Sequence, residues 1–271
     1  MSQQHTDYLL GVNQTELERL RFQHSVWGNV TSAFFDRIGI PQGWKCLDAG
    51  AGPGFVAFDL LERVGSDGSV TLLDTSSVYL DWFAQEATKR GISNFSTIQG
   101  AVETVGLKKD HYDFIFCRWV IDFVEDPETF CTQLISALAP GGVLAFQDYY
   151  YEGLSLFPHG GACDGLADVA RAYYTSGGGN AYTMGKIPLW FKKHGVELID
   201  YSPHCLSGDK DSDVIEWAHR FFVPHLPVMA ERGACSREHA DALIADWLAH
   251  RQNPATMFFS PLVVDAAGRK K

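Results

Sequence analysis

Residues 44–58, WKCLDAGAGPGFVAF, limit the possible folds of this chain more than any other stretch. A short apolar run closes on an acid, Asp48. Gly50, Gly52 and Gly54 follow, with Pro53 between the last two. Val56, Phe58, Leu60, Leu61 and Val64 then recur at helical spacing. Strand, glycine loop and helix in this order open a nucleotide-type α/β fold. Glycines suit the loop because the turn is sharp and because a ligand must approach bare backbone.

The loop is a poor pyrophosphate cradle. A dinucleotide site needs G-x-G-x-x-G with helix N–H groups aimed at the phosphates. Here the third glycine comes one residue early, Pro53 lacks an N–H donor, and Asp48 repels an anion. A carboxylate at that place suits a cation, such as an amino-acid ammonium or a sulfonium. LDAGAGPG resembles motif I of the class I S-adenosylmethionine (SAM) methyltransferases, in which an acid and G-x-G-x-G follow the first strand. A tight structural turn in another α/β protein is the competing reading. The resemblance assigns Asp48, Gly50 and Gly52 to the cofactor.

The second strand, Ser69–Asp74, ends in an acid 20 residues beyond Gly54. A carboxylate there is placed to accept both ribose hydroxyls of an adenosine, and Asp74 with its neighbour Thr75 is assigned to that end. Capping of a helix over 78–90 is the alternative role for Asp74, although Thr75, Ser76 and Ser77 suit it equally. After the third strand, Phe95–Gln99, the family pattern has Gly-Asp-Ala, whose acid meets the adenine amino group. This chain reads Gly100-Ala101-Val102. Either Glu103 takes over, or the Val102 backbone and apolar contact hold the ring.

The fourth strand, Tyr112–Arg118, leads to a Asp126-Pro127 step, a helix ending near Leu138, the turn Pro140-Gly141-Gly142 and a fifth strand over 143–147. This order also resembles the family. The resemblance places Cys117, Arg118 and Trp119 along the methionine part of SAM. Arg118 either pairs with a carboxylate of cofactor or acceptor, or forms a surface salt bridge with Asp122 or Glu125. Before the first strand, 1–43 carries apolar residues at helical spacing, with Asn13 or Thr15 as caps. Tyr8-Leu-Leu-Gly, Glu18-Arg19-Leu20 and Gln23 resemble the N-terminal lid of bacterial small-molecule methyltransferases, UbiE-like and natural-product enzymes among them. Arg19 or Gln23 would then reach the methionine carboxylate; solvated polar positions are the plain alternative.

Two stretches depart from the family pattern. Residues 149–184 are rich in tyrosine and glycine, with a helix over 164–175. Residues 205–255 hold helical patterns over 210–232 and 236–251. Both are read as cap insertions at the carboxyl edge of the sheet, where ligands bind. A helix over 185–194, a strand over 196–201 and a last strand over 256–264 complete the chain. The expected fold is a doubly wound, seven-stranded, mostly parallel Rossmann-like sheet over 44–271, with an N-terminal helical lid over 1–43.

The formal net charge is 22 − 33 = −11, which disfavours nucleic acid and anionic membrane as partners. No apolar run approaches the about 18 residues of a membrane span. Six cysteines without C-x-x-C pairs fit free thiols in a reducing cytoplasm, and no metal site is read. His159, His219 and His225 lie in the caps without a partner evident from spacing, so no catalytic base is assigned. The resemblance implies methyl transfer from SAM, with S-adenosylhomocysteine (SAH) as product, to an O, N or C atom of a small aromatic or apolar metabolite. Non-methylating chemistry on the same fold and a SAM-binding regulatory subunit are the alternatives. The oligomeric state is not legible.

Overall fold

The computed structural model describes residues 14–271. In chain order the elements are α1 (Gln14–Ile38), β1 (Lys45–Ala49), α2 (Phe55–Val64), β2 (Ser69–Asp74), α3 (Ser77–Lys89), β3 (Phe95–Gln99), β4 (Tyr112–Arg118), α4 (Pro127–Ala137) and β5 (Leu138–Tyr150). They continue with β6 (Ser155–Phe157), α5 (Leu166–Ser176), α6 (Ile187–Lys193), β7 (Val196–His204), β8 (Ser207–Asp209), α7 (Asp213–Glu231), α8 (Arg237–His250), β9 (Met257–Phe259) and β10 (Leu262–Lys270).

Seven strands form one sheet in the order β3-β2-β1-β4-β5-β10-β7. β1, β2, β3, β4 and β5 pair in parallel, and β10 runs antiparallel to both neighbours. The strand order reverses between β1 and β4, so their carboxyl ends flank the crevice where ligands of such sheets bind. Both faces are covered, and the central strands are therefore apolar nearly throughout. Their side chains alternate between two cores. Cys46, Phe114, Phe116, Val143 and Ala145 pack with α2, α3 and the end of α1. Leu47, Ile115, Cys117, Leu144 and Phe146 pack with α4 and α6.

A third core lies beyond the carboxyl edge. It joins α5, α7 and α8 to Tyr149, Tyr151 and Trp27. The single helix α1 spans two of these cores: Trp27 belongs to the outer one, while Phe34 and Phe35 are fully buried against the sheet. A second sheet, β6-β9-β8, ties the two insertions together.

Several local expectations change. Asn13 and the Tyr8-Leu-Leu-Gly stretch lie outside the described residues, and Thr15 is inside α1 rather than capping it. Ser76, not Asp74, caps α3, its Oγ accepting from the Tyr79 N–H. β5 begins at Leu138, yet Leu138 and Val143 stand opposite Tyr112 and Phe114. Residues 139–142 thus loop out of the ladder, and the Pro-Gly-Gly turn lies within the strand's bounds. The last strand divides at Ser260-Pro261: β9 belongs to the small sheet, and β10 carries Arg269 and Lys270 in the large one. Proline cannot donate to a ladder, which accounts for the break.

Candidate functional site

The glycine loop takes the three glycines for different reasons. Gly50, Gly52 and Gly54 all have left-handed φ values, of 75°, 53° and 74°. A Cβ on Gly50 would stand 2.3 Å from Val120 Cγ2, and one on Gly54 would stand 2.3 Å from Phe83 and 2.7 Å from Leu72. These two are packing glycines. A Cβ on Gly52 would meet nothing within 4 Å. Gly52 is therefore the point at which backbone faces open space. The amides of Gly50 and Ala51 donate to the Leu73 carbonyl at 2.8 and 3.0 Å, which fixes the loop to the end of β2.

Asp74 completes this fixation. Its Oδ2 accepts from the Gly52 N–H at 2.7 Å, and its Oδ1 accepts from the Ser76 N–H at 2.8 Å. Burial raises its pKa and the amide donors oppose the shift. Each oxygen keeps a further lone pair for a hydroxyl donor. Thr75 next to it is exposed.

Asp48, at the carboxyl end of β1, is 3% exposed, and its Oδ2 has no hydrogen-bond partner among the described residues. Burial pushes its pKa up to about 7; the charges of Asp74 and Asp59 add to this, and Arg118 opposes it. Arg118 closes β4 beneath α1. It donates from Nη1 to Thr31 Oγ1 at 2.8 Å and from Nη2 to His24 Nδ1 at 3.2 Å. Since guanidinium only donates, the His24 proton resides on Nε2, which faces Asp59 Oδ2 at 3.5 Å. Burial and then the Arg118 charge depress His24 to about 4, so it is neutral. Burial lowers Arg118 to about 10 while raising Asp59 to about 6. The salt bridge with Asp122 or Glu125 expected as an alternative is absent among the described residues. Arg118 points inward and makes no ion pair there. A partly buried cation and a buried carboxylate with an unused oxygen thus flank the glycine loop. A zwitterionic amino-acid group complements both.

The chain then turns sharply. Trp119 has φ 57°, a strained value for a bulky residue. Its N–H still donates to the Gln147 carbonyl at 3.1 Å. Asp148 Oδ2 receives the next two amides, Val120 at 2.8 Å and Ile121 at 3.0 Å, and so holds the turn. Asp122 is fully buried beside Thr183, and neither oxygen has a hydrogen bond of good geometry among the described residues. Burial first, then the Asp148 charge, hold its carboxyl well above the usual range.

Asp48, Gly50, Gly52, Asp74 and Arg118 therefore converge at the carboxyl edge. Cys117 lies between them in sequence, but its thiol is buried in the core under α4. Val102 is buried after β3 and Glu103 beside it is exposed. Gln23 lies farther along α1, where its Oε1 accepts from Arg19 Nη1 at 3.0 Å and from Trp217 Nε1 at 3.1 Å. Arg19 also pairs with Glu16 at 2.7 Å. The cap histidines have structural partners: His159 with Asp164, His219 with Trp247, and His225 with the Phe221 carbonyl.

Sequence reasoning missed His24, Asp59 and Thr31. It also missed a buried polar chain in which Thr31 donates to Gln147 Oε1 at 2.5 Å and Gln147 Nε2 donates to Asp265 Oδ1 at 2.6 Å. Arg37 and His204 then meet Asp265 Oδ2 at 2.7 Å each. Polar residues inside two apolar strands, Gln147 in β5 and Asp265 in β10, were the available signal.

A mostly parallel sheet with a glycine loop and an acid at the ends of β1 and β2 defines an α/β fold of the class I methyltransferase type. Comparison with known proteins agrees. Residues 40–173 match a family model described as a methyltransferase domain. The chain is 28% identical over 127 residues to a ubiquinone/menaquinone biosynthesis C-methyltransferase of Francisella philomiragia, covering 46% of this chain and 50% of that one. It is 35% identical over 116 residues to a tRNA 5-carboxymethoxyuridine methyltransferase of Escherichia coli, covering 42% and 43%. The chain spans about half the length of the curated relatives it matches. In fold it is similar to the YcgJ protein of Bacillus subtilis, with TM-score 0.60, 17% identity and coverage of 89% and 97%. Over residues 40–173 the chain is thus similar to methyltransferase domains, and its fold is that of the class I methyltransferases.

Proposed function

We propose that this chain transfers the methyl group of SAM to a small acceptor held under its aromatic cap. The observation that carries this reading is the open backbone at Gly52 set between an unpartnered Asp48 oxygen and the Asp74 carboxylate. Asp74, with Thr75 beside it, receives the ribose hydroxyls. Val102 and Glu103 border the adenine. Asp48 receives the ammonium, and Arg118 or Gln23 the carboxylate, of the methionine part. Gly50 and the Cys117 backbone border the same crevice. SAM supplies a methyl on a sulfonium, which a nucleophile displaces in line. The protein aligns the nucleophile and excludes water.

Net charge −11 and a cap rich in aromatic side chains support a small aromatic or apolar acceptor rather than tRNA. Burial of four of the six thiols supports a reducing, cytoplasmic setting. No helix among the described residues is long and apolar enough to cross a membrane. Incubation with methyl-labelled SAM, a metabolite extract and bulk tRNA tests the reading. Label is expected in a small product. Label in tRNA overturns the small-acceptor reading, and bound SAM without transfer overturns methylation in favour of other chemistry on this fold.

A further inference from the structure

Among the described residues, two indole N–H groups beside the cofactor crevice are buried without an acceptor: Trp27 Nε1 and Trp119 Nε1. Buried donors are nearly always paired, so each such group calls for a reason. The neighbouring cap meets this requirement elsewhere. Trp217 Nε1 donates to Gln23 at 3.1 Å and Trp247 Nε1 to His219 at 3.0 Å. The two unpaired indoles are neighbours, with ring centroids 6.2 Å apart and planes at 81°.

Their setting is that of a ligand platform. Trp119 follows Arg118 directly, and the next residue, Val120, packs on Gly50 of the cofactor loop. Its backbone strain is maintained by the Asp148 clamp on the two following amides. Strain of this kind persists where the surrounding structure enforces it, and it gathers at functional sites. Trp119 stacks on Tyr149 at 5.9 Å, and the Arg118 guanidinium lies 4.4 Å from the Trp119 ring centre. Trp27 comes from α1 and meets Trp217 of α7 edge-on at 5.4 Å. Flat faces from three elements therefore surround two donors.

We propose that Trp27 and Trp119 bind the methyl acceptor, their N–H groups holding a ring-attached oxygen of a planar aromatic molecule. This rests on the methyl-transfer reading and narrows its acceptor class. An indole N–H only donates, so the complementary group must accept. A carbonyl or phenolic oxygen does so; a plain hydrocarbon of the same shape does not. Both nitrogens are buried, so the acceptor reaches them only by displacing the cap.

The probes are 1-indanone and indane, which share a shape and differ in the carbonyl. The protein is labelled with 15N and saturated with SAH, and its indole N–H resonances are followed on titration; Trp27→Phe and Trp119→Phe assign two of them. Both assigned resonances are expected to move downfield with 1-indanone and not with indane. Trp119→Phe is expected to weaken 1-indanone binding by about fivefold, the loss of one neutral hydrogen bond. Equal shifts with both probes, or unchanged 1-indanone affinity in the Trp119 variant, overturn the proposal. Trp119 is partly exposed, so that variant carries the affinity test if the Trp27 variant does not fold. A missing SAH complex counts against the cofactor reading alone; the two indole resonances are then read against both probes without SAH, by the same criteria.

Discussion

Asp48→Asn separates fold stability from ligand binding at one atom. The Asp48 carboxyl stands at about 7 in the folded chain instead of 3.8, chiefly through burial. Ionising it there costs about 4 kcal/mol more than in the unfolded chain. The sign follows from proton linkage. Between 3.8 and about 7 the folded state holds the proton and the unfolded state has lost it. Stability from this group is therefore highest below the unfolded value and falls as pH rises through that window, the full penalty applying above the folded value. Asparagine carries no charge and keeps the shape. It is expected to stabilise the ligand-free protein by about 2–4 kcal/mol near pH 8 and to change it by less than about 1 kcal/mol near pH 4. Urea unfolding at the two pH values reads this directly. The same variant is expected to lose at least about tenfold in SAM affinity, because a charge-assisted contact to the ammonium is gone. An Asp48→Asn protein no more stable than the parent near pH 8 would refute the claim that Asp48 is buried without a sufficient counter-charge. Unchanged SAM affinity would refute its assignment to the ammonium.

Four further substitutions test the remaining parts of the site. Asp74→Ala frees the Gly52 and Ser76 amides; it should destabilise the fold by about 1–3 kcal/mol and weaken SAH binding, read by urea unfolding and calorimetry, and unchanged affinity excludes the ribose role. Gly54→Ala drives a Cβ into Phe83 and Leu72, whereas Gly52→Ala meets open space. Thermal unfolding should show the larger loss for Gly54→Ala, and SAH titration the larger loss relative to stability for Gly52→Ala; the reverse pattern contradicts the division of the glycines. Arg118→Met removes the second cause of the low His24 pKa, so the His24 NMR titration should move upward, toward but not to the ordinary value of 6.5, and a fixed midpoint contradicts the Arg118–His24 contact.

The sheet was legible because its strands are short apolar runs closed by acids and glycines, a pattern that local sequence carries. The position of Asp48 and Asp74 followed from the same pattern, since each is the last residue or nearly so of its strand. The roles of individual glycines were not legible: Gly50 and Gly54 are demanded by Val120, Phe83 and Leu72, which lie 18 or more residues away in sequence. The orientation of Arg118 depends on α1 crossing the sheet, so Thr31 and His24 replaced the acids that stand nearest in sequence. The small sheet β6-β9-β8 joins segments about a hundred and about fifty residues apart through three-residue strands, too short for alternation to register. The Trp27 and Trp119 pair is likewise invisible in sequence, because nothing local marks an indole as unpaired.

The binding of SAH to the purified chain, followed by titration calorimetry together with the thermal midpoint, is the most direct test of the glycine loop as a SAM site. A one-to-one complex and a midpoint that rises with ligand concentration are expected, because a ligand bound only by the folded state stabilises it. Neither heat nor a midpoint shift with SAH or SAM at millimolar concentration would contradict that claim.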